Sequence, residues 1–167
     1  MLTRIVQTAD ERLTVALVHP DIPQNAGNIA RLCLAAGCRL VLVRPLGFRL
    51  ADPHLLRAGM DYWKNLAPLI LDDLIAFQDW AKGRRLLCLS SHGDKNYAEV
   101  NYSEKDVLCL GSETEGLPEE ILNHAKETGN LLVLPMAERV RCLNVSSAAA
   151  AVVYEAVRQL QGWNRPI

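Results

Sequence analysis

The sequence lacks the features that mark secreted, membrane and metal-binding proteins. No apolar run approaches the roughly 20 residues that a bilayer-spanning helix needs, and the N-terminus has no charged-then-apolar signal pattern. The five cysteines are odd in number and scattered, and neither a C-x-x-C pair nor a close His/Cys cluster occurs. These absences predict a cytoplasmic protein with reduced, mostly buried cysteines and no metal site.

Two common nucleotide-binding signatures are also missing. The chain contains no G-x-G-x-x-G and no phosphate-binding loop that ends in Gly-Lys-Ser/Thr, which weakens a flavodoxin-like small-molecule binder as an alternative. The formal net charge of −1 argues against nucleic-acid affinity spread over the whole surface. It leaves room for a local basic site, because the arginines are locally dense.

The chain does contain enough apolar sequence for one compact domain. Half of its 167 residues are hydrophobic, and no internal repeat, low-complexity tract or interdomain linker divides them. We therefore expect a single domain over residues 1–167, with residues 1–10 as a short N-terminal extension.

Short apolar runs alternate with segments of helical periodicity along this domain. Strands are predicted at residues 13–19, 40–43, 86–91, 107–112 and 131–134, with a further short apolar run at 67–71. Helices are predicted at residues 24–36, 72–82, 118–126 and 146–161, and residues 45–65 read as irregular. This alternation predicts an α/β fold with a mostly parallel sheet that helices cover on both faces.

The first of three polar loops follows the first predicted strand, in HPDIPQNAGNIARLC at residues 19–33. Pro20 and Pro23 delay the helix, and Asn25 lies where the new helix exposes unpaired N–H groups. Arg31 follows six residues later, so both side chains are expected to border one crevice. Taken alone, the loop is explained better by a capping role for Asn25 and a surface ion pair for Arg31.

The second polar loop is GSETEGLPEE at residues 111–120. Gly111 permits close backbone approach and Gly116 permits positive φ, so a tight turn is expected before the next helix. Glu113 comes directly after a buried strand and therefore needs a partner. A plain strand-to-helix turn is the alternative for this segment.

The third polar loop joins the last predicted strand to the last helix. In an open α/β sheet, ligands bind beyond the carboxyl ends of the strands, so this loop is a candidate site. Its polar residues, Arg139, Arg141, Asn144, Ser146 and Ser147, stand between the strand end LPM and an Ala/Val-rich helix. The last three occupy positions where helix-capping groups are expected.

All three loops, in this order, resemble the signature motifs of the SPOUT methyltransferase superfamily, and the resemblance extends over nearly the whole chain. IPQNAGNIARLC is similar to the first motif, LGSETEGLP to the second, and LPM with LNVSSAAAAVVYEAVRQ to the third. PLGF at residues 45–48 and RAGMDYW at residues 57–63 resemble a narrower group, the minimal tRNA wobble-nucleotide (cytidine or uridine 34) ribose 2′-O-methyltransferases.

This resemblance implies a C-terminal deep trefoil knot, a homodimer, S-adenosyl-L-methionine as methyl donor, and the tRNA anticodon loop as substrate. The positions that match the donor pocket are Leu89, Gly111, Leu134, Met136, Cys142, Leu143 and Asn144. The positions that match catalysis or its support are Asn25, Arg31, Glu113, Ser146 and Tyr154.

The same resemblance leaves the target nucleotide open. Cys142 replaces the serine more usual in the narrower group, and Leu-Asn-Val-Ser is similar to a branch that methylates ribose elsewhere in tRNA. Methylation at another tRNA or ribosomal RNA position is thus one alternative. A non-catalytic RNA-binding module of the same fold is another, although the matching residues favour an enzyme. Arg57, Arg139 and Arg141 are the expected phosphate contacts.

Overall fold

A computed structural model of the chain describes residues 13–59 and 62–161. Within them the strands are β1 (Thr14–Val18), β2 (Arg39–Val43), β3 (Leu69–Leu71), β4 (Leu86–Leu89), β5 (Lys95–Asn96), β6 (Val107–Leu110) and β7 (Leu131–Val133). The α-helices are α1 (Pro23–Ala36), α2 (Pro53–Gly59), α3 (Tyr62–Leu66), α4 (Leu74–Ala81), α5 (Glu119–Glu127) and α6 (Val145–Gln161), with a 3-10 helix at Tyr97–Glu99. The predicted N-terminal extension lies outside the described residues.

The strands form one seven-stranded sheet in the order β3-β2-β1-β6-β4-β7-β5. Every neighbouring pair in it is parallel. The chain builds outward from β1 to β3 on one side and then crosses to the other side for the remaining strands. The predicted α/β fold with a mostly parallel sheet and flanking helices is therefore confirmed.

Side chains alternate between two cores because successive residues of a strand point to opposite faces. One face carries Val15, Leu17, Leu40, Leu42 and Leu108, which pack with α1 and α6. The other face carries Ala16, Val18, Val41, Val43 and Cys109, which pack with α4 and α5. Because both faces are covered, the strands read as nearly continuous apolar runs.

Four of the five cysteines are buried in these cores, which confirms the prediction that they are mostly buried; Cys142 is exposed. Burial raises the pKa of the Cys33 thiol well above its ordinary value. A hydrogen bond with Cys88, together with burial, raises the pKa of the Cys109 thiol. These thiols therefore stay protonated and behave as small apolar groups.

Several local predictions were wrong. Residues 45–65 are not wholly irregular, because they contain α2 and α3, which pack against α1 and bury Leu55 completely. Tertiary packing thus stabilises helices too short to form alone. Helix α1 begins at Pro23 rather than Gln24, because proline suits the first turn. The two-residue β5 has no apolar pattern and exists only through pairing with β7.

Candidate active site

The sheet offers a ligand site where its strand order reverses. Neighbouring strands β1 and β6 lead into helices on opposite faces, because α1 packs in one core and α5 in the other. Residues from the loops after these strands border a crevice beyond the strand ends. Such switch points are the usual ligand sites of open α/β sheets.

A cavity of about 810 Å³ occupies this crevice. It is lined by residues from the loops after β1, β4, β6 and β7 and from the start of α6. Its volume lies within the range of small-molecule and cofactor sites. The predicted convergence of the three polar loops into one pocket is thus confirmed.

All seven residues predicted for the donor pocket line this cavity: Leu89, Gly111, Leu134, Met136, Cys142, Leu143 and Asn144. Sequence reasoning missed the contribution of Ser90, Ser91 and His92, which line the cavity too. It placed Ser90 and Ser91 within a strand, but β4 ends at Leu89. The sequence feature that could have identified these residues as a loop is the small polar run Ser-Ser-His-Gly.

The loop after β6 is a tight hairpin, as its glycines predicted. Backbone hydrogen bonds of 3.0 Å run in both directions between Ser112 and Gly116, and the Ser112 hydroxyl accepts the Glu115 amide at 2.9 Å. Gly116 has φ of +75°, and a Cβ on Gly111 would lie 2.0 Å from the Gly116 carbonyl carbon. Both positions therefore require glycine. We name residues 112–116 the β6 hairpin.

Glu113, at the tip of the β6 hairpin, has the hydrogen-bond partners that were predicted from its position after a buried strand. Its Oε1 accepts from the Asn25 side-chain amide at 2.8 Å, and its Oε2 accepts from the Asp21 backbone amide at 2.8 Å. Both carboxylate oxygens are thereby engaged. Glu113 is thus suited to orienting Asn25.

Asn25 connects Glu113 to Asn144, which precedes the last helix. It is only 6% exposed, and its Oδ1 accepts from the Asn144 side-chain amide at 3.0 Å. The N-cap of α1 is Ile22, without a side-chain cap, so the capping explanation for Asn25 is wrong. A chain of hydrogen bonds instead joins all three predicted loops through Glu113, Asn25 and Asn144.

Asn144 also caps α6, as predicted. Its Oδ1 accepts from the Ser146 amide at 2.9 Å and from the Ser146 hydroxyl at 2.6 Å. Ser146 therefore supports the cap and does not itself line the cavity. The same side chain thus starts a helix, lines the cavity and holds Asn25.

The remaining predicted residues lie on the surface of the chain. Arg31 on α1 and Tyr154 on α6 are exposed and do not line the cavity. The expectation that Arg31 shares a crevice with Asn25 is therefore not met within the single chain. Arg57, Arg139 and Arg141 are exposed, and of these only Arg141 lines the cavity.

Removing the Asn144 side chain separates its two roles. Asn144→Ala is expected to lower the free energy of unfolding by about 1 kcal/mol, because the cap is lost. Asn144→Asp keeps the cap acceptor but cannot donate to Asn25, so it is expected to restore thermal stability without restoring the predicted methyl transfer. Thermal unfolding and an activity assay on both variants measure this. Full activity of the Asp variant would show that the Asn144–Asn25 bond is dispensable.

Two negative findings bear on the class of site. Among the described residues, no group of three or more His, Cys, Asp or Glu could hold a metal ion. None of the helices in the described part of the chain is long and apolar enough to cross a membrane.

Comparison with known proteins gives a consistent picture. Residues 12–154 match the SpoU rRNA Methylase family. A tRNA (cytidine(34)-2'-O)-methyltransferase of Saccharophagus degradans is 44% identical over 146 residues, which cover 87% of this chain and 94% of that protein.

Two solved structures are similar to the whole fold. One, described as "Structural insights into the 2-OH methylation of C/U34 on tRNA", has a TM-score of 0.85 at 41% identity and covers 92% of this chain and 99% of its own. The SpoU methyltransferase AviRb from Streptomyces viridochromogenes, solved with the cofactor AdoMet, has a TM-score of 0.82 at 26% identity. That match covers 93% of this chain and 60% of AviRb.

A parallel sheet with a cavity at its switch point, and a match over most of the chain, define the class of protein: the chain belongs to the SpoU rRNA Methylase family. Within it, the chain is similar to the tRNA (cytidine(34)-2'-O)-methyltransferases. These findings confirm both the predicted resemblance and the predicted enzyme class.

Proposed function

We propose that this protein transfers a methyl group from S-adenosyl-L-methionine to the ribose 2′-hydroxyl of the tRNA wobble nucleotide, cytidine or uridine 34. The observation that carries this proposal is the meeting of the three motif loops around one cavity, with all seven predicted donor-binding residues in its lining. The names of the relatives support the target, and AviRb, solved with AdoMet, supports the donor.

The lining of the cavity fits this donor. Leu89, Leu134 and Leu143 offer apolar walls for an adenine ring. The residues of the β6 hairpin line the cavity beside them and add polar groups to its wall. When bound, S-adenosyl-L-methionine supplies an electrophilic methyl group on a sulfonium. The residues of the chain have to hold the acceptor oxygen in line with that group.

Arg31 is the proposed catalytic residue on the acceptor side. A guanidinium is a poor general base, so it acts on the hydroxyl only with the help of a nearby phosphate. Otherwise it orients that phosphate and stabilises the charge that develops. Glu113 holds Asn25, and Asn25 holds Asn144, by side-chain hydrogen bonds. These bonds fix the part of the cavity wall that lies beside the start of α1.

A homodimer would complete this site. Arg31 and Tyr154 lie outside the cavity lining, on helices α1 and α6, which pack against each other. Val140 and Tyr154, which do not line the cavity, are 47% and 40% exposed, so they offer apolar surface for a second copy. Light scattering at several protein concentrations tests the dimer.

Two finer features follow from the same family resemblance. Strand β7 lies between β4 and β5, which both precede it in the chain, and this late insertion supports a C-terminal trefoil knot. A tRNA substrate supports a cytoplasmic location. We also include the absence of a metal in the proposal, because methyl transfer from a sulfonium needs none.

Binding of RNA is expected to weaken steeply with salt. Arg57, Arg139 and Arg141 are exposed, and phosphate contacts through them release counterions. Between 50 and 200 mM salt, affinity for tRNA is expected to fall about tenfold or more. Each arginine-to-alanine variant should reduce the slope of log affinity against log salt by about 0.7. Filter binding measures this.

Lys105→Ala is the matched control for these arginine variants. Lys105 is exposed and lies before β6, at the opposite end of the strands from the cavity. Its loss should leave the salt slope unchanged. A flat salt response of the unchanged protein would show that phosphate contacts are not the main source of RNA affinity.

The direct test is incubation with methyl-labelled donor and total tRNA, followed by nucleoside mapping. Label on the ribose of nucleotide 34 is the expected result. Label on the ribose at another tRNA position, or on ribosomal RNA in a parallel reaction, would contradict nucleotide 34 as the target but support ribose methylation as the reaction. Calorimetry with the donor is the companion measurement, because RNA binding without donor binding would identify a non-catalytic module.

A further inference from the structure

Asp21 and Thr114 make a contact that none of the motif roles uses. The Thr114 hydroxyl donates to Asp21 Oδ2 at 2.5 Å, and the Asp21 backbone amide donates to Glu113 Oε2 at 2.8 Å. The loop after β1 and the tip of the β6 hairpin are therefore joined in both directions. Together with the Asn25–Glu113 bond, three hydrogen bonds dock the hairpin on the start of α1.

The loop after β2 supports Asp21 from its other side. The Gly47 amide donates to the Pro20 carbonyl at 2.9 Å, and a Cβ on Gly47 would lie 2.7 Å from the Asp21 Cα. The backbone at Asp21 is thus in close contact with a second loop. These contacts with the loop after β2 therefore restrict the position of the Asp21 backbone.

The β6 hairpin transmits this position to the site. Its two backbone bonds and the Ser112–Glu115 bond make it a closed unit, so Thr114 and Glu113 move together. Glu113 in turn holds Asn25, and Asn25 holds Asn144 in the cavity wall. A substitution at Asp21 is therefore expected to displace Asn144 in the cavity wall, because hydrogen bonds connect the two residues.

We propose that Asp21 is a positioning residue for methyl transfer, which acts by docking the β6 hairpin through Thr114 and so fixing the Glu113–Asn25–Asn144 chain. This inference rests on the function proposed above. It assigns the Asp21 carboxylate an acceptor role: what matters is an oxygen facing the Thr114 hydroxyl, not a negative charge.

The electrostatics of the contact make that distinction measurable. The carboxylates of Asp21 and Glu113 both lie at the contact between the loop after β1 and the β6 hairpin, and like charges at short range repel. Asparagine at position 21 would keep an acceptor for Thr114 and remove one charge. Alanine would remove the acceptor altogether. Asp21→Asn and Asp21→Ala are therefore expected to differ strongly.

Steady-state methylation of tRNA is the first measurement. Asp21→Ala and Thr114→Val are each expected to lower kcat about tenfold, because a displaced hairpin misplaces the wall of the site. Calorimetry should find donor affinity changed by less than about twofold. Asp21→Asn and Thr114→Ser should recover most of the loss. The Asp21→Ala, Thr114→Val double variant should be no worse than either single variant, because one contact is removed in each case.

Asp72→Ala is the control for the loss of a carboxylate. The Asp72 side chain is 93% exposed, and its ion pair with Arg44 spans 3.7 Å, so its removal should leave kcat unchanged. Thermal unfolding of every variant confirms that the fold is kept. A kcat of Asp21→Ala equal to that of the unchanged protein, or an Asp21→Asn variant as slow as Asp21→Ala, would overturn the proposal.

A second measurement does not depend on activity. The side-chain amide signals of Asn25 in a nitrogen NMR spectrum, assigned by their loss in Asn25→Asp, report on the bond to Glu113. In Asp21→Ala they are expected to shift and to lose about tenfold of their protection from hydrogen exchange. Unchanged signals would overturn the docking itself. Shifted signals together with no methylation of tRNA by the unchanged protein would overturn the proposed function and leave the docking standing.

Discussion

Arg31→Ala is expected to lower the rate of methyl transfer to tRNA by about a thousandfold while donor affinity changes by less than about twofold. The guanidinium is proposed to meet the phosphate beside the acceptor ribose, so its loss removes stabilisation that exists only during transfer. The donor is held elsewhere, because Arg31 does not line the cavity. Single-turnover assays with labelled donor, combined with calorimetry, separate the two effects.

Arg31→Lys should be almost as damaging. An ammonium keeps the positive charge but not the planar fork that binds two phosphate oxygens at once. Arg84→Ala is the matched control, because Arg84 lies 4.6 Å over the Trp80 ring on the face of the sheet opposite α1. Equal losses of donor binding and turnover in the Arg31 variants would instead assign that residue a structural role.

Gly111→Ala is expected to affect both stability and donor binding. The new Cβ would lie 2.0 Å from the Gly116 carbonyl carbon and 2.2 Å from the Leu117 nitrogen, so the β6 hairpin must move. Overpacking of this kind costs about 3 kcal/mol. In a chain of this size that loss lowers the melting temperature by about 6–12 °C. Because the hairpin forms one wall of the cavity, donor affinity should fall about a hundredfold.

Gly129→Ala is the control for these effects. Gly129 also has positive φ, at +65°, but a Cβ added there would meet nothing within 4 Å, and the residue does not line the cavity. The substitution should cost about 1 kcal/mol through backbone strain and leave donor affinity unchanged. Scanning calorimetry and donor titration compare the two variants. A Gly111→Ala protein that melts and binds like the unchanged chain would refute the close contact.

Local sequence patterns predicted most of the helices and strands. Short continuous apolar runs marked β1, β2 and β6, because both faces of the sheet are covered, and the Ala/Val-rich run marked α6. The same patterns failed for α2, α3 and β5. Those elements are short, and they form through contacts with α1 and β7 that lie far away in sequence.

The residues that line the cavity were also accessible from the sequence, through the motifs that carry them. Gly111 and Gly116 were predicted from their backbone freedom, and Asn144 from its capping position; the structure has each of them in that role. The partner of Glu113 was not predictable in this way. An acid directly after a buried strand signals that a partner exists, but it does not identify that partner.

By itself, then, the sequence determined the alternation of strands and helices, and its motifs indicated the class of enzyme and the seven residues predicted for the donor pocket. Only the tertiary structure decided how the site is held together. Asn25 bonds to Glu113 across 88 residues and to Asn144 across 119, and Asp21 meets Thr114 across 93. Periodicity describes how one segment meets the core, whereas these bonds depend on strand order, because the pairing of β1 with β6 brings their loops together.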